Sequence, residues 1–165
     1  MSKKPSLAVV GATGAVGTVM LDILSKRKDV YGEIRLIASA RSAGKKLTCR
    51  GQELTVVALT PGAFKGIDIA LTSAGASISK EYADTITKHG AIMIDNSSAF
   101  RYDDDVPLVV PEVNPEDSKI RPRNIIANPN CSTIQMLVAL KPLHDLADIK
   151  RIVSEVSRST QSREK

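Results

Sequence analysis

Tryptophan is absent from this 165-residue sequence, and only 3% of its residues are aromatic. Because 42% are nevertheless hydrophobic, we expect an aliphatic core and enough apolar side chains for one folded domain. Apolar runs of about 18 residues or more are also lacking, which leaves no candidate for a membrane-spanning helix. The first residues lack the long apolar segment of a signal peptide, so we expect a cytoplasmic protein.

Cysteine is equally scarce. Two cysteines are too few for a disulfide framework, and no CxxC pair or Cys/His cluster indicates a metal site.

The net charge is +5, but there is no basic stripe with interleaved aromatic residues, so nucleic-acid binding is not indicated. A mildly basic surface favours anionic small molecules as ligands.

Short apolar runs that alternate with helical patterns predict a Rossmann-type α/β fold. The run Leu7 to Val10 is typical of a strand buried on both faces, and helical spacing follows it. This alternation implies a doubly wound, mostly parallel sheet covered on both sides. Further predicted elements are strands at 34–38, 67–72, 91–95, 108–110 and 124–127, a hairpin over 47–58 that turns near Gly51, and a helix over 77–88.

A glycine motif joins the first predicted strand to the first helix. Gly11 permits a tight exit from the strand, Gly14 leaves room for a phosphate, and Gly17 lets the helix pack closely. Free amides at the helix start would then bind a pyrophosphate. The alternative is a glycine-rich turn without a ligand.

The end of the second predicted strand bears on the choice of nucleotide. NAD-binding folds usually have an acidic residue there, roughly 20 residues beyond the glycine motif, for the ribose hydroxyls. The stretch 38–46 contains no acid, but it contains Arg41 and Ser42, which suit a 2′-phosphate. We therefore predict NADP as the cofactor; the alternative is a solvated basic loop.

One of the two cysteines, Cys131, stands directly before a long apolar run that predicts a helix. A cysteine at a helix start lies at the positive end of the peptide dipoles, which favours a nucleophilic thiolate. Asn128 and Asn130 precede it with amides that can orient a substrate or donate to an oxyanion. The alternative is a buried structural cysteine, which is our interpretation of Cys49.

Arg101 follows the predicted strand at 91–95. Ligands of open α/β sheets gather beyond the carboxyl ends of the strands, and an arginine there can bind a phosphate or carboxylate. A surface salt bridge is an equally good interpretation from spacing alone.

The two histidines are not candidates for catalysis. We place His89 at a helix end or strand start, and His144 too far along the helix to act as a base for the cysteine.

Five segments together resemble aspartate-semialdehyde dehydrogenases. Each motif is moderately specific, but their order over about residues 7–153 is highly specific. The related N-acetyl-gamma-glutamyl-phosphate reductases remain an alternative, although they usually have Gly and Tyr around the cysteine, where this chain has Asn130 and Ser132. The matching segments are 11–17, 40–45, 95–101, 110–114 and 128–133.

The resemblance implies NADPH-dependent reductive dephosphorylation of L-4-aspartyl phosphate to L-aspartate 4-semialdehyde, a step toward lysine, diaminopimelate, threonine and methionine. By the same resemblance, Cys131 forms an acyl thioester, Arg101 binds the substrate phosphate and Asn130 lines the site. The resemblance also implies a cytoplasmic homodimer for the family enzyme. The residues that it implies for NADP binding are Thr13, Gly14, Ala15 and Val16, together with Arg41 and Ser42.

Family members are more than twice as long, and the resemblance ends near Val153. We therefore predict an NADP-binding domain over 1–130, a catalytic-cysteine helix and the start of a truncated second domain over 131–153, and an aberrant polar tail over 154–165. The missing dimerisation and substrate domain would carry the catalytic histidine, so we expect a fragment with little activity. A non-catalytic NADP-binding module is the alternative. The helix would then expose Ile134, Leu137, Val138 and Leu140.

Overall fold

The computed structural model describes residues 4–27 and 29–155. The predicted polar tail therefore lies, from residue 156 onward, outside the described residues. The strands are β1 (Leu7–Val10), β2 (Ile34–Ala38), β3 (Lys46–Cys49), β4 (Gln52–Thr55), β5 (Val57–Ala58), β6 (Ile69–Thr72), β7 (Ile92–Asp95) and β8 (Ile125–Ala127). The α-helices are α1 (Ala15–Lys26), α2 (Ala76–Lys88) and α3 (Cys131–Leu146), and short 3₁₀ helices cover Ala40–Ser42, Pro61–Phe64 and Pro115–Lys119.

Six strands form one parallel sheet in the order β5-β2-β1-β6-β7-β8. The chain builds outward from β1 to one edge and then returns to build outward from β6 to the other. The switch point between β1 and β6 is where open α/β sheets bind ligands. This arrangement confirms the doubly wound, mostly parallel Rossmann-type fold.

Each face of the sheet has its own apolar cluster. On the α2 face, side chains such as Val10, Ile37 and Met93 pack with the 3₁₀ helix Pro61–Phe64 and with α2. On the opposite face, α1 and the β3–β4 hairpin cover β1 and β2. The buried members of that second cluster are Val9, Ala12, Leu21, Leu36, Ala38, Cys49 and Val56.

The opposite face is not covered along its whole width. The strand register aligns one row of apolar side chains across the sheet, which we call the cross-sheet row: Leu36, Val9, Leu71, Ile94 and Ile126. The two members on β2 and β1 are fully buried, whereas the three on β6, β7 and β8 are half-buried. The expectation that both faces are covered is therefore right for β1 and β2, and for β6 to β8 the coverage of this face is partial.

Two predicted strands differ from the observed ones. The second strand of the hairpin ends at Thr55, and Val57–Ala58 instead pairs with β2 as the sheet edge. The predicted strand at 108–110 is reduced to a single bridge between Leu108 and Ala127. Prolines at 107 and 111 flank it, and because proline has no amide donor, they limit pairing on both sides.

Helix α3 lies on the surface of the described structure. It contains no buried residue, and Val138 is 40% exposed. Ile134, Leu137 and Leu140 are half-buried, so the predicted apolar patch is partly exposed. No helix within the described ranges is long and apolar enough to cross a membrane.

Candidate active site

The glycine loop is held rigidly at the switch point of the sheet. Gly11 has a φ of +84°, and a Cβ there would lie 2.4 Å from the Ser73 carbonyl oxygen. A Cβ on Gly17 would lie 2.2 Å from the Gly11 oxygen. Both approaches are too close for any side chain, so the sequence signal at these two glycines has a steric cause.

The loop ends at the N-terminus of α1. Gly14 is the N-cap residue, and its carbonyl accepts the first intrahelical bond from the Thr18 amide at 3.0 Å. The amides of residues 15–17 therefore have no acceptor inside the helix. The first turn of α1, which the structure describes completely, contains no acidic residue. This helix start is suited to binding an anion.

A cleft of about 310 Å³ opens beside the loop. Gly11, Thr13 and Gly14 form one wall, as the sequence predicts. Sequence reasoning missed Ser39 and Ser73, which follow β2 and β6 directly, although their position after two strands at the switch point is a usable signal. The remaining lining residues are Val10, Ala38, Leu59, Ala74 and Ile78.

Arg41 and Ser42 lie on the 3₁₀ helix that follows β2, but they face different ways. Arg41 is exposed and stands outside the lining of the cleft. Ser42 is buried, and its hydroxyl lies 3.4 Å from that of Thr13. The structure thus brings Ser42 against the glycine loop and leaves Arg41 exposed to solvent.

Cys131 is the first residue of α3 and is exposed. Asn130 caps this helix: its Oδ1 accepts from the Ser132 amide at 3.0 Å and from the Ser132 hydroxyl at 2.7 Å. The Cys131 sulfur lies 3.8 Å from the same Oδ1. The cap fixes the start of the helix beside the sulfur and engages the Asn130 side chain through its oxygen.

Arg101 is anchored by backbone carbonyls. Its Nε donates to the Asn128 oxygen at 2.9 Å, and one Nη approaches the Asn96 oxygen at 3.4 Å. Among residues 4–27 and 29–155 it forms no ion pair, so the salt-bridge interpretation fails there. Neutral acceptors orient the guanidinium without neutralising its charge, which leaves that charge available for an anion.

The glycine loop, Arg101 and Cys131 share one edge of the sheet, because the carboxyl ends of parallel strands all lie there. β1 and β8 are three strand spacings apart, about 14 Å. Asn128, whose oxygen holds Arg101, is three residues from Cys131, at most about 11 Å of extended chain. The carbonyl that holds Arg101 thus lies only three residues before the exposed cysteine, and the nucleotide cleft opens farther along the same edge.

The remaining candidates are structural. Cys49 is buried in β3, and its sulfur lies 3.4 Å from the Ser25 hydroxyl and 3.6 Å from that of Tyr31, which confirms its structural interpretation. Burial and the hydrogen bond with Cys49 raise the pKa of Tyr31 to about 12. His89 is the C-cap of α2, and His144 lies exposed in the last turn of α3, as predicted.

Residues 6–120 match the family described as "Semialdehyde dehydrogenase, NAD binding domain". The chain belongs to this family. As a member of the semialdehyde dehydrogenase family, it is similar to the aspartate-semialdehyde dehydrogenase of Aquifex aeolicus, with 60% identity over 149 residues, which cover 89% of this chain and 44% of the relative. The resemblance inferred from the sequence motifs is therefore confirmed.

Solved structures of the same family agree. Aspartate semialdehyde dehydrogenase II of Vibrio cholerae, solved with ASA, is 48% identical with a TM-score of 0.84, over 90% of this chain and 49% of that one. The Candida albicans enzyme, solved with NADP, is 31% identical with a TM-score of 0.75, over 88% and 48%. The chain of this semialdehyde dehydrogenase family member thus spans about half the length of its relatives.

Proposed function

We propose that this chain carries the cofactor-binding and thiol-bearing part of an aspartate-semialdehyde dehydrogenase. The reaction is the NADPH-dependent reductive dephosphorylation of L-4-aspartyl phosphate to L-aspartate 4-semialdehyde. One observation carries the proposal: an exposed cysteine at a capped helix start follows, by three residues, the carbonyl that anchors an arginine whose charge no carboxylate of the described residues neutralises. The cytoplasmic location and the homodimer implied by the family remain predictions.

The nucleotide cleft fits a dinucleotide. A tight loop without side chains at Gly11 and Gly17 leads into helix amides that can donate hydrogen bonds to a pyrophosphate. We assign Thr13 to Val16 to the pyrophosphate side and Arg41 with Ser42 to the 2′-phosphate of NADP. When bound, NADPH supplies the hydride that takes the acyl carbon to the aldehyde level.

The protein's own groups carry the acyl transfer. The Cys131 thiolate attacks the acyl carbon of aspartyl phosphate, and the sulfur–carbon bond forms as the carbon–oxygen bond to phosphate breaks. Arg101 holds the phosphate and stabilises its charge as it leaves. The Asn130 Nδ2 group donates to the acyl oxygen. After reduction, the sulfur leaves as a thiolate and the aldehyde is released.

Alkylation of Cys131 tests whether the thiol and the anion site form one centre. With iodoacetamide, mass spectrometry should show modification at Cys131 and none at the buried Cys49 of the folded chain. Inorganic phosphate should slow the reaction in the native chain. Arg101→Gln should abolish this protection, whereas Arg123→Gln, an arginine paired with Asp103 and Asp105, should retain it. Equal protection in both variants would contradict the proposal.

Nucleotide preference tests the assignment of Arg41. In fluorescence titrations we expect tighter binding of NADPH than of NADH. Arg41→Ala should weaken NADPH binding by about tenfold and leave NADH unchanged, because a charge-assisted contact is lost. Lys45→Ala, which removes a cation from the same loop, is the matched control. Equal affinities for the two nucleotides would refute the NADP assignment.

The non-catalytic module is the second candidate, and the position of the histidines favours it: within the described ranges neither histidine adjoins Cys131 in the sequence, and His144 is thirteen residues along α3. The loss of a general acid or base costs about 10²–10⁴-fold in rate. We therefore expect negligible oxidation of the semialdehyde with NADP and phosphate. Tight NADPH binding with an unreactive Cys131 would support the module, and a rate of about 1 s⁻¹ or more would support a complete enzyme.

A further inference from the structure

Asp95, the last residue of β7, is a fully buried carboxylate. It accepts three hydroxyl hydrogen bonds: from Thr72 at 2.8 Å and Ser79 at 2.6 Å on Oδ1, and from Ser97 at 2.6 Å on Oδ2. The two Oδ1 donors come from β6 and α2, whereas the Oδ2 donor belongs to the loop that leads to Arg101. These hydrogen bonds compensate the burial of the carboxyl group, and they tie β6, α2 and the loop to one point.

The Oδ2 side is connected to Arg101 through the turn that follows β7 and through hydrogen bonds between this turn and Asn128. The Ser97 hydroxyl also accepts from the Ala99 amide at 3.0 Å, which closes a turn over residues 95–99. Within that turn, the Asn96 side-chain oxygen accepts from Asn128 Nδ2 at 2.5 Å. The Asn128 amide donates to the Asp95 backbone oxygen at 2.8 Å, and its carbonyl accepts from Arg101.

We propose that Asp95 is a positioning residue, which sets the guanidinium of Arg101 for a phosphate through Ser97 and the turn 95–99. The phosphate-binding role of Arg101 rests on the proposed function; the positioning of its side chain does not. Both acceptors of Arg101, the oxygens of Asn96 and Asn128, lie on backbone that this network holds. A displaced turn would therefore displace both acceptors together.

The two serines that donate hydrogen bonds to Asp95 provide a matched pair of variants. Ser97→Ala and Ser79→Ala each remove one 2.6 Å hydrogen bond to the same carboxylate, but only Ser97 lies on the side of Arg101. Asp95→Ala is less suitable, because it leaves three buried hydroxyls without their acceptor and endangers folding. Two quantities are measured by nitrogen-15 NMR: hydrogen exchange of the Arg101 Nε–H, and the dissociation constant for inorganic phosphate.

We expect Ser97→Ala to accelerate exchange of the Arg101 Nε–H and to weaken phosphate binding by about tenfold, since a bond to a charged group is lost. Ser79→Ala should leave both quantities within about twofold of the native chain, even where both variants lose similar stability. Equal effects of the two variants would overturn the proposal, as would an unprotected Nε–H in the native chain. A third outcome separates the two proposals. If only Ser97→Ala loses protection of the Arg101 Nε–H, and phosphate binds neither the native chain nor any variant, the positioning role stands and the proposed phosphate site fails.

Discussion

The two halves of the sheet are built from similar strands but are covered differently. In the cross-sheet row, Leu36 and Val9 are buried beneath α1 and the hairpin, whereas Leu71, Ile94 and Ile126 are half-buried. The α2 face is buried in both halves. Strand sequence alone thus does not set burial, since apolar residues in one register differ according to what the chain places over them.

This difference affects the candidate site, because the residues of the site are divided between the two halves of the sheet. The glycine loop leaves β1 in the covered half, while Arg101 and Cys131 follow β7 and β8 in the half with one partly covered face. In the second half, local hydrogen bonds such as those of Asp95 and the Asn130 cap add to the core packing of the α2 face. The nucleotide cleft therefore lies over a core that is packed on both faces, whereas the thiol and anion site combines one packed face with polar networks.

Leucine truncation should give the largest contrast between the halves. We expect Leu36→Ala to lower the free energy of unfolding by about 3 kcal/mol, because it opens a cavity in a closed cluster. Leu71→Ala removes the same atoms from a half-buried position and should cost about half as much. Urea unfolding of both variants measures this, and equal losses would mean that the β6 side is as well covered as the β2 side.

A buried tyrosine should make the covered half sensitive to high pH. The pKa of Tyr31 rises from its ordinary value of 10.0 to about 12 in the folded chain. The folded state disfavours ionised Tyr31. The stability that the neutral side chain contributes is therefore complete below pH 10 and is lost as the pH rises to about 12. Two units correspond to about 2–3 kcal/mol of unfolding free energy. Tyr31→Phe should remove this part of the pH dependence; an unchanged profile would contradict the assignment.

Arg123 should contribute moderately to the stability of the half that contains β7 and β8. It pairs with Asp103 at 2.9 Å and Asp105 at 3.3 Å, and its guanidinium lies over the ring of Phe100 at 5.1 Å. Because these pairs are partly exposed, we expect Arg123→Ala to cost about 1 kcal/mol in urea unfolding. Arg123→Lys keeps the charge but not the planar group and should recover only part of the loss. Full recovery would show that charge alone acts here.

The smallest effect should come from α3. Leu143 is 56% exposed, so Leu143→Lys should change the unfolding free energy by less than about 0.5 kcal/mol. The same change should reduce any self-association of the chain, measured by analytical ultracentrifugation. Leu21→Lys, on the buried face of α1, is the contrasting control and should prevent folding. A large loss of stability at Leu143 would mean that α3 is packed more tightly than its exposure shows.

Much of the fold was predictable because its signals are local. The apolar run of β1 and the glycines at 11 and 17 reflect burial and steric contact that any such strand and loop require. The candidate cysteine was found in the same way, since helix starts have a recognisable pattern. The coverage of β6 to β8 was not predictable, because it depends on where distant segments pack.

Within the site, residues that bind through tertiary contacts escaped sequence reasoning. Asp95 was visible as the end of a strand, but its three hydroxyl partners come from positions 72, 79 and 97. The anchoring of Arg101 by the Asn128 carbonyl joins segments 27 residues apart, which spacing does not reveal. Ser39 and Ser73 were missed because neither belongs to a motif.

The interlocked glycines also have a kinetic consequence. Since the Gly17 position closes against the Gly11 oxygen during folding, the loop is already shaped before any nucleotide arrives. Docking then requires little ordering of the backbone, so nucleotide capture should be fast and should show a single phase in stopped-flow mixing.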